Sequence, residues 1–154
     1  MMIVVDASVM VKWALDEDPA EDTLAARAIM GRYAIAAPSL LQFELASILW
    51  VKCRRGVLKP NEAETAAATL QMAPVRLIDG RGLWLTALSL AHDVGHSPYD
   101  CAYVAAAMEA GARAVVTADR RFARSFETWH SAAPDARPCV LPVTELHRIP
   151  PSLG

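Results

Sequence analysis

Met2–Leu15 reads MIVVDASVMVKWAL. Ile3, Val4 and Val5 are β-branched, so they suit a pleated, buried strand better than a helix. Asp6 ends that run, and Ala7–Leu15 then has the composition of a short helix. A carboxylate therefore stands where a strand hands over to a helix. The same order recurs late in the chain, where ARAVVTAD (Ala112–Asp119) is a short strand closing on Asp119 before a helical turn.

Outward from these two units, strands and helices alternate. YAIAAP, PVRLI and RPCVLPV supply three more short apolar strands. Asp18, Pro19 and Glu21 read as N-cap, N1 proline and capping-box partner of a helix that Gly31 closes. Ser39 and Gln42 form an S-x-x-Q box for a long helix ending near Gly56. Asn61–Met72 and Arg81–Val94 are further helices, the second stopped by Gly95. Ser97-Pro98-Tyr99-Asp100 opens another, which Gly111 ends. Such alternation predicts an α/β domain with a central, mainly parallel sheet. The chain has 154 residues, room for one compact core. Residues 1–148 are expected to form one domain, with a loose C-terminal tail at 149–154.

Hydrophobic residues make up 54% and charged residues 21%, a globular balance. No apolar run is long enough to span a bilayer, and the N-terminus lacks a basic n-region. Cys53, Cys101 and Cys139 are scattered without C-x-x-C spacing, which argues against a disulfide framework and a zinc site. A cytoplasmic protein is expected. The net charge of −2 does not advertise nucleic-acid binding. Basic residues nevertheless cluster at Lys52, Arg54 and Arg55 and at Arg120, Arg121 and Arg124, as a solvated surface or a phosphate track.

Ligands of open α/β sheets bind beyond the carboxyl ends of the strands. Asp6 and Asp119 stand at two such ends. Asp100 opens a helix, YDCAYVAAAM, with no other charge before Glu109. Glu44 lies in APSLLQFELASILWV (Ala37–Val51), the one full charge in that segment. A carboxylate in low dielectric costs several kcal/mol unless paired, so Glu44 requires a partner. Each acid also has a structural reading. Asp6 and Asp119 suit helix caps, Asp100 suits an S-x-x-D box behind Ser97, and a distant Arg would satisfy Glu44. Asp79, before Gly80, reads as a turn. Taken together, four converging carboxylates repel one another unless a cation neutralises them. An all-oxygen donor set without His or Cys suits Mg2+ or Mn2+, and metal-assisted phosphodiester hydrolysis is the natural chemistry.

The ordered set VVDASVMVKWAL, APSLLQFELASIL and SPYDCAYVAAAMEAGARAVVTADRRF resembles the PIN-domain ribonucleases, and specifically the small VapC-type toxins of toxin–antitoxin pairs. No single piece is decisive, but the order and spacing are specific, and the likeness covers nearly the whole chain. The resemblance implies a PIN-like three-layer α/β/α domain and a metal-dependent endoribonuclease. Mg2+ or Mn2+ is the implied cofactor and RNA, often tRNA or rRNA, the substrate. A cognate antitoxin as inhibitor and a homodimer are likewise implied. Carried over by position, Asp6, Glu44, Asp100 and Asp119 form the catalytic and metal-binding quartet. Ser8 and Thr117 match hydroxyl positions that help to shape the site, although Ser8 also suits a helix cap and Thr117 an ordinary strand. Cys101 stands where the family commonly has a small residue such as Ala.

Other classes lack their carriers. A receiver domain needs a lysine at a late strand end, and the lysines are Lys12, Lys52 and Lys59. A D-x-D phosphatase needs an acid where Ser8 stands. No G-x-G-x-x-G, G-x-x-x-x-G-K or G-x-S-x-G occurs. In HDVGH, His92 and His96 read as surface histidines at a helix end rather than a zinc motif. A non-catalytic protein-binding module of the same fold and a housekeeping RNA-processing nuclease remain the alternatives. Arg120, Arg121, Lys52 and Arg55 are the candidates for steering RNA towards the acids.

Overall fold

The computed structural model describes residues 1–150. Five parallel strands form one sheet: β1 (Met2–Val5), β2 (Ala34–Pro38), β3 (Val75–Ile78), β4 (Ala114–Thr117) and β5 (Cys139–Pro142), in the order β3-β2-β1-β4-β5. Strand β1 pairs with β2 through Ile3 opposite Ile35 and with β4 through Val5 opposite Val116. Ile3, Val4, Val5, Val115 and Val116 are wholly buried, as expected of a parallel sheet covered on both faces.

Helices α1 (Ala7–Met10) and α2 (Ala20–Arg27) follow β1, and α3 (Leu41–Arg54) and α4 (Pro60–Gln71) follow β2. After β3 come α5 (Trp84–Val94) and α6 (Pro98–Ala110), and after β4 come α7 (Arg120–Ser125) and α8 (Glu127–Ser131). From β1 the chain steps outward to β2 and β3, then jumps back across β1 to β4. Right-handed crossovers running in opposite directions place the two sets of helices on opposite faces. That reversal makes the junction of β1 and β4 the switch point of the sheet, where a crevice opens beyond the strand ends.

Helix α6 packs on β1, β2 and β4. Its residues Cys101–Ala107 are all buried, and the alanines among them let the helix lie close to the strands. Gly95 and Gly111 take φ of +67° and +65°, so α5 and α6 each end in a left-handed residue as their glycines imply.

Two expected caps are corrected. Asp18 does not cap α2. Pro19 takes the N-cap position without a side-chain bond, while the Thr23 hydroxyl bridges back to the backbone of Glu17. Nor does Ser39 cap α3. Its N–H donates to the Ile78 carbonyl at 2.9 Å, which commits Ser39 to the sheet margin and delays the helix by one residue, with Leu40 as N-cap. Helix α8 and the 3-10 run Val143–Arg148 add to the expected elements. Of the tail expected to be loose, Ile149 packs against the core, and 151–154 lie outside the described residues.

Candidate active site

Asp6, Ser8, Glu44, Asp100, Tyr103 and Asp119 line one cleft of about 290 Å3. The switch point explains the convergence. Strands β1 and β4 are neighbours, so the residues that follow them, Asp6 and Asp119, emerge side by side. Helices α3 and α6 bring Glu44 and Asp100 to the same mouth.

Asp6 is the innermost acid, only 7% exposed. It caps α1 by accepting the Val9 N–H at 3.1 Å, so the capping reading holds alongside its place in the cleft. Ser8 donates to Oδ1 at 2.6 Å and Thr117 donates to Oδ2 at 2.5 Å. The same hydroxyls accept from the backbone: Ser8 from Ala118 N–H at 2.9 Å and Thr117 from Asp119 N–H at 2.9 Å. They are thereby oriented, each with its proton aimed at Asp6. Ser8 does not cap α1; it clamps β1 to the turn after β4.

Among the described residues Glu44 has no cationic partner. The distant Arg considered from the sequence is replaced by Tyr103, whose hydroxyl donates to Glu44 Oε2 across 59 positions of sequence. Tyr103 is 1% exposed, an aromatic ring in the core with its polar end in the cleft. Asp100 does not close a capping box. Ser97 caps α6 through the Tyr99 N–H, and Asp100 Oδ2 lies 2.8 Å from Nε2 of His96. His92 is exposed as expected, but His96 is turned inward, and its surface assignment is corrected. Asp119 caps α7 through the N–H groups of Arg121 and Phe122, at 2.8 and 3.2 Å, and is otherwise exposed to the cleft. Asp79 makes the turn its sequence implied, accepting from Arg81 N–H at 2.9 Å.

Burial pushes the Asp6 carboxyl up from 3.8 to about 6, against the lowering effect of its Ser8, Thr117 and Val9 donors; Asp100 pushes it further up. Glu44 is also raised, first by burial and then by the charges of Asp100 and Asp6, while Tyr103 holds it down. These carboxylates sense one another, and among the described residues neither Asp6 nor Glu44 faces a basic side chain. Their all-oxygen donor chemistry fits a hard divalent cation. Among the described residues no three His, Cys, Asp or Glu side chains are gathered so as to hold a metal ion by themselves, so the acids line an open cleft rather than a closed cage. Of the basic residues considered for RNA, Lys52 pairs with Glu17 at 2.5 Å and Arg120 with Asp22 at 3.3 Å. Arg55 and Arg121 are exposed and form no ion pair among the described residues.

The PIN domain family model matches residues 3–125. The chain belongs to the PIN-domain family. The PIN domain is 31% identical over 128 residues to Ribonuclease VapC3 of Pyrobaculum aerophilum, covering 82% of this chain and 95% of that protein. This likeness places it with the VapC-type members. Solved structures share the fold. A crystal structure of a Pyrobaculum aerophilum protein aligns with a TM-score of 0.64 at 20% identity, covering 95% of this chain and 86% of that one. VapC20 of Mycobacterium tuberculosis, a sarcin-ricin loop cleaving toxin, aligns with a TM-score of 0.59 at 19% identity over 80% and 94%. VapBC2 of Rickettsia felis, bound to a DNA fragment from its promoter, gives 0.56 at 14% identity over 92% and 98%.

Tyr103, which lines the cleft, and His96, which meets it through Asp100, escaped sequence reasoning. Tyr103 stands in the small, apolar stretch Cys101–Ala107 of α6, and a buried tyrosine needs a partner, which is the signal that would have flagged it. His96 stands four residues before Asp100, a spacing legible in HSPYD but obscured by Gly95.

Proposed function

We propose that this PIN domain is a VapC-type toxin, a divalent-metal-dependent endoribonuclease acting in the cytoplasm and restrained by a cognate antitoxin. The observation that carries the reading is the convergence of Asp6, Glu44, Asp100 and Asp119 on one cleft at the β1/β4 switch point. The kinship to Ribonuclease VapC3 supports RNA as substrate. Asp6, Glu44, Asp100 and Asp119 are the residues that would hold Mg2+ or Mn2+. Such an ion supplies charge neutralisation at a scissile phosphate and activation of water. The chain's own groups prepare the place. Ser8 and Thr117 fix both oxygens of Asp6, Tyr103 fixes one oxygen of Glu44, and the helix-capping bonds of Asp119 leave its second oxygen to the cleft. The raised carboxyls of Asp6 and Glu44 hold protons that an arriving cation would displace, so binding would strengthen as pH rises.

A partner is supported by unusual apolar exposure on α3, α5 and α6. Phe43 is 81% exposed, and Trp50, Trp84, Leu85 and Tyr99 also face solvent. Antitoxin binding and homodimer formation are the occupants assigned to this surface, and the VapBC2 neighbour supports the first. Among the described residues no helix is long and apolar enough to cross a membrane, and the three cysteines are free, which supports the cytoplasmic assignment.

The test is cleavage of total tRNA and rRNA by the purified protein. Activity with Mg2+ or Mn2+, abolished by EDTA and by Asp6→Asn, Glu44→Gln, Asp100→Asn and Asp119→Asn singly, is expected. Metal-independent cleavage, or full activity in all four variants, contradicts the proposal. Absence of cleavage with intact partner binding would favour the non-catalytic module.

A further inference from the structure

His96 is held from three sides. Its side chain is 10% exposed, and it sits between Gly95, which reverses the chain after α5, and Ser97, which caps α6. Nε2 lies 2.8 Å from Asp100 Oδ2, and Nδ1 lies 3.0 Å from the Ser125 hydroxyl on α7. The ring stacks on Phe122 at 5.3 Å with the planes 16° apart, and Phe122 is itself buried and edge-packed on Phe126. A carboxylate only accepts, so Nε2 carries a proton towards Asp100. The Ser125 hydroxyl is shared between Nδ1 and the Arg121 carbonyl, 2.8 Å away, which ties the ring to the same helix that Asp119 caps.

An imidazole so confined defines where one carboxylate oxygen must be. Asp100 is the third residue of α6, and an acid there ordinarily turns back to the helix N-terminus. Here Ser97 occupies that role and His96 takes Oδ2, which leaves Oδ1 for the cleft. We propose that His96 is a positioning residue: braced by Ser125 and Phe122, it holds the Asp100 carboxylate in its working orientation and couples the placement of Asp100 on α6 to that of Asp119 on α7. This rests on the reading of Asp100 as a metal-holding carboxylate. It makes the cleft a mechanical unit of two helices rather than four independent acids.

The test uses His96→Phe, which keeps the stacked ring and removes both nitrogens, and His96→Gln, whose amide reaches the place of Nε2. Crystal structures of both variants and Mn2+ titrations are compared with RNA cleavage. In His96→Phe the Asp100 carboxylate should leave its place, and the Mn2+ concentration for half-saturation should rise about tenfold. The kcat for RNA should fall by a similar factor while KM stays within about twofold, and His96→Gln should recover most of the loss. An unmoved Asp100 and an unchanged Mn2+ titration in His96→Phe overturn the proposal. Should His96→Phe not fold, His96→Asn replaces it, because the shorter amide reaches Ser125 but not Asp100. Equal Mn2+ affinity in the Asn and Gln variants then refutes the role. Asp100→Asn, run alongside, separates the two failures. If Asp100→Asn cleaves RNA like the wild type, the reading of Asp100 as a metal-holding carboxylate fails, and the crystallographic comparison still decides what His96 does.

Discussion

Asp6→Asn should make the metal-free protein more stable at neutral pH while removing its activity. Asp6 is raised from 3.8 to about 6 in the folded chain. A raised carboxyl favours the fold below its unfolded value of 3.8, and that support is lost as pH climbs through 6. Above pH 7 the ionised form therefore costs about 3 kcal/mol, at about 1.4 kcal/mol for each pH unit. The Asn variant escapes that cost. It loses part of the bonding to Ser8, Thr117 and Val9, for which about 1 kcal/mol is reasonable. The net gain at pH 7.5 is about 2 kcal/mol, or roughly 4–8 °C in Tm for a chain of this size. At pH 4 the sign reverses slightly, because the cost of ionising Asp6 has fallen below the bonding that the Asn variant loses, and the two stabilities cross at about pH 4.5 by the same arithmetic. Urea unfolding of both proteins in EDTA at pH 4, 5 and 7.5 measures this. A variant no more stable than the wild type at pH 7.5, or a difference that ignores pH, refutes the reasoning. Adding Mn2+ at pH 7.5 should restore the wild type's advantage, since only it retains the full set of carboxylates.

Other consequences concern the groups around the acids. Tyr103→Phe removes the donor that holds Glu44 down, so Mn2+ binding should shift to higher pH and cleavage should fall roughly tenfold; an unchanged pH dependence would show that the bond has no bearing on Glu44. Thr117→Val deletes a wholly buried hydroxyl that serves both Asp6 and the Asp119 N–H. It should destabilise by about 2 kcal/mol at pH 7.5 and by less at pH 4.5, read by urea unfolding; equal losses at both would count against Thr117 as an Asp6 donor. Arg55→Glu with Arg121→Glu should raise KM for RNA and flatten its salt dependence, because these exposed cations lack ion-pair partners among the described residues. Unaltered salt dependence would remove them from the RNA path.

The fold is legible in the sequence because its decisive stretches are locally consistent. MIVV and AVVT are β-branched runs that only a two-face-buried strand accommodates, and Gly95 and Gly111 stop their helices in the conformation glycine adopts most readily. The capping boxes of α2 and α3 misled because their serine and aspartate signals compete with tertiary demands. Ser39 is taken by the β3 carbonyl of Ile78, and Thr23 takes the loop that Asp18 was expected to close. In the cleft, the acids stood out by context: Asp6 and Asp119 at strand ends, Glu44 alone in an apolar helix. Of their partners, Thr117 was marked only by the resemblance and Tyr103 not at all, because they reach Asp6 and Glu44 across long sequence separations that only the sheet order brings together. The basic residues were the least legible. Pairing among the described residues distinguishes Arg55 and Arg121 from Lys52 and Arg120, and nothing local in the sequence does so.

The most direct test of the account is an anomalous-difference map from crystals soaked in Mn2+, since it requires no knowledge of the RNA target. A peak within about 2.0 to 2.5 Å of carboxylate oxygens from Asp6 and at least one of Glu44, Asp100 and Asp119 is expected. A map without a peak in this cleft at saturating Mn2+, with the four side chains ordered, would contradict the claim that these carboxylates hold the metal.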